Sequence, residues 1–128
     1  DLWSTYCEPC IREFPDLVAL HQKHGNDGVV CISGSCDFEG IGTPEESHDQ
    51  VLEFLQKQNA TFENILFSIE NEELWKMLRI AAIPVVYVYG PDGEVAKRFD
   101  NEAGGEEFTY KKDIIPFVEK FLAAAPVE

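Results

Sequence analysis

The sequence is poor in basic side chains: ten Lys and Arg stand against 24 Asp and Glu, giving a formal net charge of −14. A surface of that sign repels a phosphate backbone and anionic lipid headgroups, which disfavours nucleic acid and membrane surfaces as partners. The acidic excess then serves chiefly to keep the chain dissolved. Long apolar runs are missing as well. None approaches the ~20 residues of a membrane-spanning helix, and no signal-peptide pattern is visible. There are no internal repeats and no low-complexity tracts. Cysteines are few, at positions 7, 10, 31 and 36, and do not suggest a disulfide-stapled mini-domain. The 128 residues present, 45 % hydrophobic and 27 % charged, suffice for one globular domain over residues 1–128.

The order of elements reads as α/β. Asp1-Leu2-Trp3 reads as the end of a strand running straight into a cysteine motif, so the expectation is a first strand begun upstream, with any signal or anchor upstream too. Residues 7–24 predict a helix, with Ile11, Phe14, Leu17, Val18 and His21 on one face, an internal Pro15, and Gly25 as the stop. The apolar run Gly28 to Ser33 predicts a buried parallel strand, and 34–42 a loop. Thr43-Pro44-Glu45-Glu46 is a helix start with a capping Thr, leading to a stripe of Val51, Leu52 and Leu55 as far as about Asn59. Ile65 to Phe67 predicts a strand, and Asn71 caps a short helix carrying Leu74, Trp75, Met77 and Leu78. Val85 to Tyr89, the turn Gly90-Pro91-Asp92-Gly93, and Glu94 to Phe99 predict an antiparallel hairpin. A polar stretch at 100–107 precedes a last helix from Asp113 to Ala124. Ile114, Phe117, Val118, Phe121 and Leu122 form its buried face, and Pro116 falls in its first turn.

Cys7-Glu8-Pro9-Cys10 opens the first of these helices. Backbone N–H groups at a helix start are unpaired and the dipole there favours negative charge. A thiol so placed ionises readily, with pKa values in such motifs of roughly 3.5 to 7.5, and the thiolate is the species that attacks a disulfide. Cys7 is therefore the exposed nucleophile and Cys10, one turn in, the shielded resolving thiol. Glu8 opposes ionisation of Cys7 by like charge, and Pro9 stiffens the turn. An alternative reading joins all four cysteines in a zinc site. Against it, Cys31 sits inside an apolar strand run, where a thiol behaves as a small buried hydrophobe. Cys36 reads as a free loop thiol, with a bridge to Cys31 or an auxiliary redox role left open.

Trp3-Ser4-Thr5-Tyr6-Cys7-Glu8-Pro9-Cys10, continued by Glu13-Phe14-Pro15, resembles the W-x-x-W-C-x-x-C segment of the thioredoxin superfamily, and more closely its TlpA/ResA-like branch. Tyr6 replaces the second Trp. Ala82-Ile83-Pro84-Val85 is similar to the superfamily's cis-proline segment, and the extra helix and strand at about 43–67 match an insertion that plain thioredoxins lack. The resemblance implies a thioredoxin-like fold, a mixed central sheet with helices on both faces, and a cis Pro84 lying against the cysteine pair. It implies catalytic roles for Cys7, Cys10 and Pro84, and a substrate-facing surface around Trp3, Tyr6, Glu8, Pro9 and Ile83. Trp3 and Tyr6 pack against and shield the pair. Asp1, six residues before Cys7, matches the buried acid that manages the proton of the resolving thiol; Glu39, Glu45 and Glu46 are alternative acids.

The same resemblance implies thiol–disulfide exchange without a dissociable cofactor, in the direction of substrate reduction. It also implies an extracytoplasmic location, a monomer, an upstream reductant, and protein disulfides as partners, among them cytochrome c apoproteins or other envelope proteins. A redox-inactive thioredoxin-fold interaction module is the alternative from the binding class.

Overall fold

The computed structural model describes residues 1–102 and 104–124. Ala103, inside the expected polar stretch, and residues 125–128, at the end of the expected domain, lie outside the described residues. The elements follow in the order β1 (Leu2–Trp3), α1 (Glu8–His24), β2 (Ile32–Ser35), α2 (His48–Lys57), β3 (Glu63–Leu66), α3 (Asn71–Leu78), β4 (Val86–Tyr89), β5 (Val95–Phe99) and α4 (Ile115–Ala124). β1, β2 and β3 are parallel, with Leu2 opposite Gly34 and Ile32 opposite Glu63. β4 and β5 form the expected antiparallel hairpin, with Val86 opposite Phe99. A single antiparallel bridge between Leu2 and Val85 joins the two parts, giving the strand sequence β3-β2-β1-β4-β5.

Side chains alternate across a strand, and here that alternation separates two cores. Trp3 and Val86 face a large cluster with Phe14, Leu17 and Val18 of α1, Val51 and Leu55 of α2, and Val118 of α4. Leu2 and Val85 face the other way, toward Leu74 of α3, Ile80 and Cys36. Helices therefore cover both faces, as the sequence predicts. The centre of the large core is aromatic: Phe14 lies 5.0 Å from Trp3 and 5.2 Å from Phe54, centroid to centroid. The close approach of β1 to β2 depends on Gly34, where a Cβ would collide with the Phe67 ring and stand 3.3 Å from Leu2 Cδ2.

Several boundaries differ from the sequence reading, each for a local reason. α1 ends at His24 with Gly25 as its C-cap, as expected, but Gly25 is right-handed helical and begins a 3-10 turn, and the left-handed residue is Gly28, at φ +95°. The second strand is Ile32–Ser35 rather than 28–33, and Val30 is 80 % exposed. Ser33, expected at the end of the strand, and Ser35, expected in the loop, are both fully buried with their hydroxyls paired, Ser33 donating to Asn64 Oδ1 at 2.6 Å. Beside this strand, a cavity of about 690 Å³ opens between β2 and β4, lined by Val30, Cys31, Ile32, Val88 and Tyr110. Thr43 makes no side-chain cap; the chain passes through a 3-10 turn at Pro44–Ser47 before α2. Asn71 is the first residue of α3 rather than its cap. The last helix is entered through a π-helical turn at Tyr110–Ile114, capped by the Thr109 hydroxyl, and Phe121 is exposed rather than buried.

Deleting the Phe14 ring should cost about 3–5 kcal/mol, as for other buried aromatics; urea denaturation of Phe14→Ala measures it. A second expectation concerns the tie between α1 and α4, where His24 bonds Asp27 at 2.8 Å and Glu119 at 2.9 Å. Asp27, then Glu119, raises the His24 pKa, while Lys23, then His24, lowers that of Glu119. The His24 contribution is thus complete below its unfolded pKa of about 6.5 and fades as pH rises through the higher folded value. The Glu119 contribution is complete above about pH 4.3 and fades as pH falls through its lower folded value. The urea midpoint should therefore decline above about pH 6.5, and His24→Gln should remove that decline.

Candidate active site

The turn that follows β1 delivers the cysteines. Cys7 N–H donates to Ser4 O at 3.2 Å and Tyr6 N–H to Ser4 Oγ at 3.1 Å, closing a tight turn directly before α1. Cys7 then occupies the N-cap position in extended conformation, φ −97° and ψ 101°, and its sulfur accepts from Cys10 N–H at 3.3 Å. The sulfur stands where a capping oxygen usually does, in the field of the helix's free N–H groups. Pro9, at the second helical position, removes a donor that would have no partner in the helix. Cys7 and Cys10 are disulfide-bonded, with Cα atoms 5.2 Å apart. Cys7 is half-buried and Cys10 only 3 % exposed, the asymmetry expected of an attacking and a resolving sulfur.

The second segment arrives through the sheet. Leu2 N–H donates to Val85 O at 2.9 Å. Because that bridge is antiparallel, the residues just before Val85, Pro84 and Ile83, lie toward the C-terminal end of β1, from which the turn carrying Cys7 starts. The Ile83–Pro84 bond is cis, the geometry the resemblance implies. Both residues are half-buried, and Ile83 packs against both cores. The loop's other flank is held from β5. Arg98 donates to the carbonyls of Leu78 and Arg79, and pairs with Asp100 at 2.7 Å and with Glu102.

The remaining sequence candidates separate. Tyr6 is 68 % exposed and stands at the surface beside the pair rather than in the core. Trp3 is fully buried, so it supports the site from beneath and has no surface with which to meet a substrate. Glu8 is exposed, and Arg12 one turn on pairs with it at 2.8 Å, which offsets the like charge beside Cys7. Asp1 is half-buried; one carboxylate oxygen accepts from the Tyr110 hydroxyl and the other is buried without a partner. Burial pushes the Tyr110 phenol well above its usual pKa, so it stays a donor. Glu39, Glu45 and Glu46 stand exposed in the loop and 3-10 turn that lead to α2.

Cys36 is a free thiol in the stretch after β2, as expected, and it is buried. Cys36 lies just past β2, its N–H donating to Trp3 O at 2.7 Å, and is 4 % exposed between Leu74, Ile80 and Val85. Burial first, and the neighbouring Asp37 second, push its thiol up to about 12. Cys31 is also free and buried, and burial raises its thiol too. The two belong to opposite cores, and among the described residues no group of three or more ligating side chains converges on one point.

Sequence reading missed the residues that hold the turn itself: Thr5, Asp37 and Gln50. Asp37, 4 % exposed, accepts from Thr5 N–H at 3.2 Å, from the Thr5 hydroxyl, and from Ser35 Oγ at 2.6 Å. Gln50 of α2 donates to Thr5 Oγ1. Nothing in their spacing announces the contact, because 32 residues separate Thr5 from Asp37.

A thioredoxin-like family profile matches residues 1–95. Sporulation thiol-disulfide oxidoreductase A of Bacillus subtilis is 26 % identical over 95 residues, 74 % of this chain and 53 % of that protein. Thiol-disulfide oxidoreductase ResA of Oceanobacillus iheyensis is 30 % identical over 95 residues, 74 % of this chain and 44 % of that one. The chain spans about half the length of these relatives. In fold it is similar to the solution structure of a thiol:disulfide interchange protein from a Bacteroides species, with a TM-score of 0.68 at 20 % identity, over 98 % of this chain and 72 % of that one. A profile running from the first strand to the start of β5 turns the resemblance of the cysteine and proline segments into kinship: the chain belongs to the thioredoxin-like family.

Proposed function

We propose that the protein reduces disulfides in other proteins by dithiol–disulfide exchange through Cys7 and Cys10. The observation that carries this reading is the placement of Cys7 at the N-cap of α1, bonded to a buried Cys10, with a cis Ile83–Pro84 bond directly before the residue that bridges β1. In the dithiol state, the N-terminal field of α1 favours the Cys7 thiolate. That thiolate attacks one sulfur of a substrate disulfide; the substrate S–S bond breaks, one substrate thiolate leaves, and a mixed disulfide forms. Cys10, deprotonated, attacks the Cys7 sulfur and expels the second substrate thiolate. Two electrons and two protons pass to the substrate, and the pair ends as the disulfide.

Asp1 is the acid we assign to the Cys10 proton. Its buried, unpartnered oxygen is free to accept one, while Tyr110 steadies the other. Tyr6, Glu8, Pro9 and Ile83 form the surface we assign to the substrate chain, and Pro84 fixes the loop against the pair. No dissociable cofactor enters these steps. Family resemblance supports an extracytoplasmic monomer recharged by an upstream reductant, acting on envelope proteins such as cytochrome c apoproteins. No helix among the described residues is long and apolar enough to cross a membrane.

Cys7→Ser should reduce insulin-disulfide turnover to background, whereas Cys10→Ser should accumulate mixed disulfides visible on non-reducing gels. Unchanged turnover in Cys7→Ser would sink the assignment. In the reduced wild-type protein, iodoacetamide should label Cys7 first and spare Cys31 and Cys36 until the chain is unfolded; mass spectrometry of the labelled peptides reads this. Rapid native labelling at Cys36 would contradict its buried, protonated state.

A further inference from the structure

Asp37 stands apart from the exchange chemistry, yet it is the polar group most deeply tied to the turn that presents Cys7. A carboxylate 4 % exposed is costly unless its lone pairs are used. Here three donors converge on it: Thr5 N–H, at 3.2 Å from both oxygens, the Thr5 hydroxyl, and Ser35 Oγ at 2.6 Å. Its own N–H returns to Ser35 Oγ at 3.3 Å, which fixes the carboxylate against β2. Thr5 is the centre of the Ser4–Cys7 turn, so the carboxylate pins that turn to the strand beside β1. From the open side Gln50 Nε2 donates to Thr5 Oγ1, adding a second support from the inserted helix α2.

We propose that Asp37 is a positioning residue for the dithiol, acting through Thr5 to fix Cys7 at the head of α1 within reach of Cys10, with Gln50 as an auxiliary brace. With the turn pinned, Cys7 meets Cys10 at high effective concentration, because little chain freedom is lost when the S–S bond closes. With the turn released, that freedom must be lost at closure, and the disulfide becomes easier to reduce. The inference rests on the exchange reading of the pair.

The test is the equilibrium of the Cys7–Cys10 couple with a glutathione redox buffer, read beside the thermal midpoint of each variant. Asp37→Ala should lower the effective concentration of the pair about tenfold, a potential about 30 mV higher for a two-electron couple. Thr5→Val, which changes no charge, should shift it in the same direction by a smaller factor, Gln50→Ala by less again, and Thr5→Ser should leave it at the wild-type value. A folded Asp37→Ala with an unmoved equilibrium overturns the proposal. So does a shift confined to the Asp37 variants and absent from Thr5→Val, which would mark a charge effect across space. Should Asp37→Ala fail to fold, the contrast between Thr5→Val and Thr5→Ser still decides. The two readings fail separately: an inert wild-type pair in the insulin assay sinks the exchange reading, while wild-type turnover with unmoved variants sinks this one.

Discussion

The site hangs on two residues of backbone. Leu2 and Trp3 form β1, which is bonded on both sides, through Leu2 N–H to Val85 O and through Cys36 N–H to Trp3 O. Because consecutive side chains point to opposite faces, Leu2 enters the α3 core and Trp3 the α1 core. One peptide unit thus ties together both layers of helices, the parallel half of the sheet and the hairpin. The cysteine turn starts at its C-terminal end and the proline loop lies along its flank, so what brings those distant segments together is a property of the sheet rather than of either loop.

Much of this was legible because local chemistry and global fold agree. Pro9 within a helix start and Gly90 to Gly93 between two strands each have one economical structural reading, whereas the cis bond before Pro84 was implied by the family resemblance alone. Where reading failed, polar residues had been satisfied from far away. Gly34 and Ser35, just past the expected strand end at Ser33, look like loop, but Asp37 pairs the Ser35 hydroxyl and the Phe67 ring leaves room at 34 only for glycine, so the buried strand runs on to Ser35. Cys36 follows that strand as a loop residue, and its burial between Leu74, Ile80 and Val85 has no signal in the local sequence. Tyr6 and Trp3 illustrate the limit of motif reasoning: both match one aromatic pattern, yet one is on the surface and the other has no exposed area.

Acidity also divides between two uses. Most of the carboxylates are at the surface, paired with neighbours such as Arg12, Lys57 or Arg98 or left to water, where each contributes little to stability. Asp37 and Asp1 are different, since both are held by neutral donors next to the strand that feeds the cysteines. The net charge of −14 counts these two with the rest, and the count alone does not separate them from the surface acids.

The burial of Cys31 and Cys36 bears on fidelity. A protein that trades disulfides carries a standing hazard when it owns spare thiols, since any of them able to shed its proton can attack the pair and scramble the bond internally. Two hydrophobic layers keep these sulfurs protonated and on opposite sides of the sheet. Under the exchange reading proposed above, attack on the Cys7–Cys10 bond by either spare thiol is thereby disfavoured.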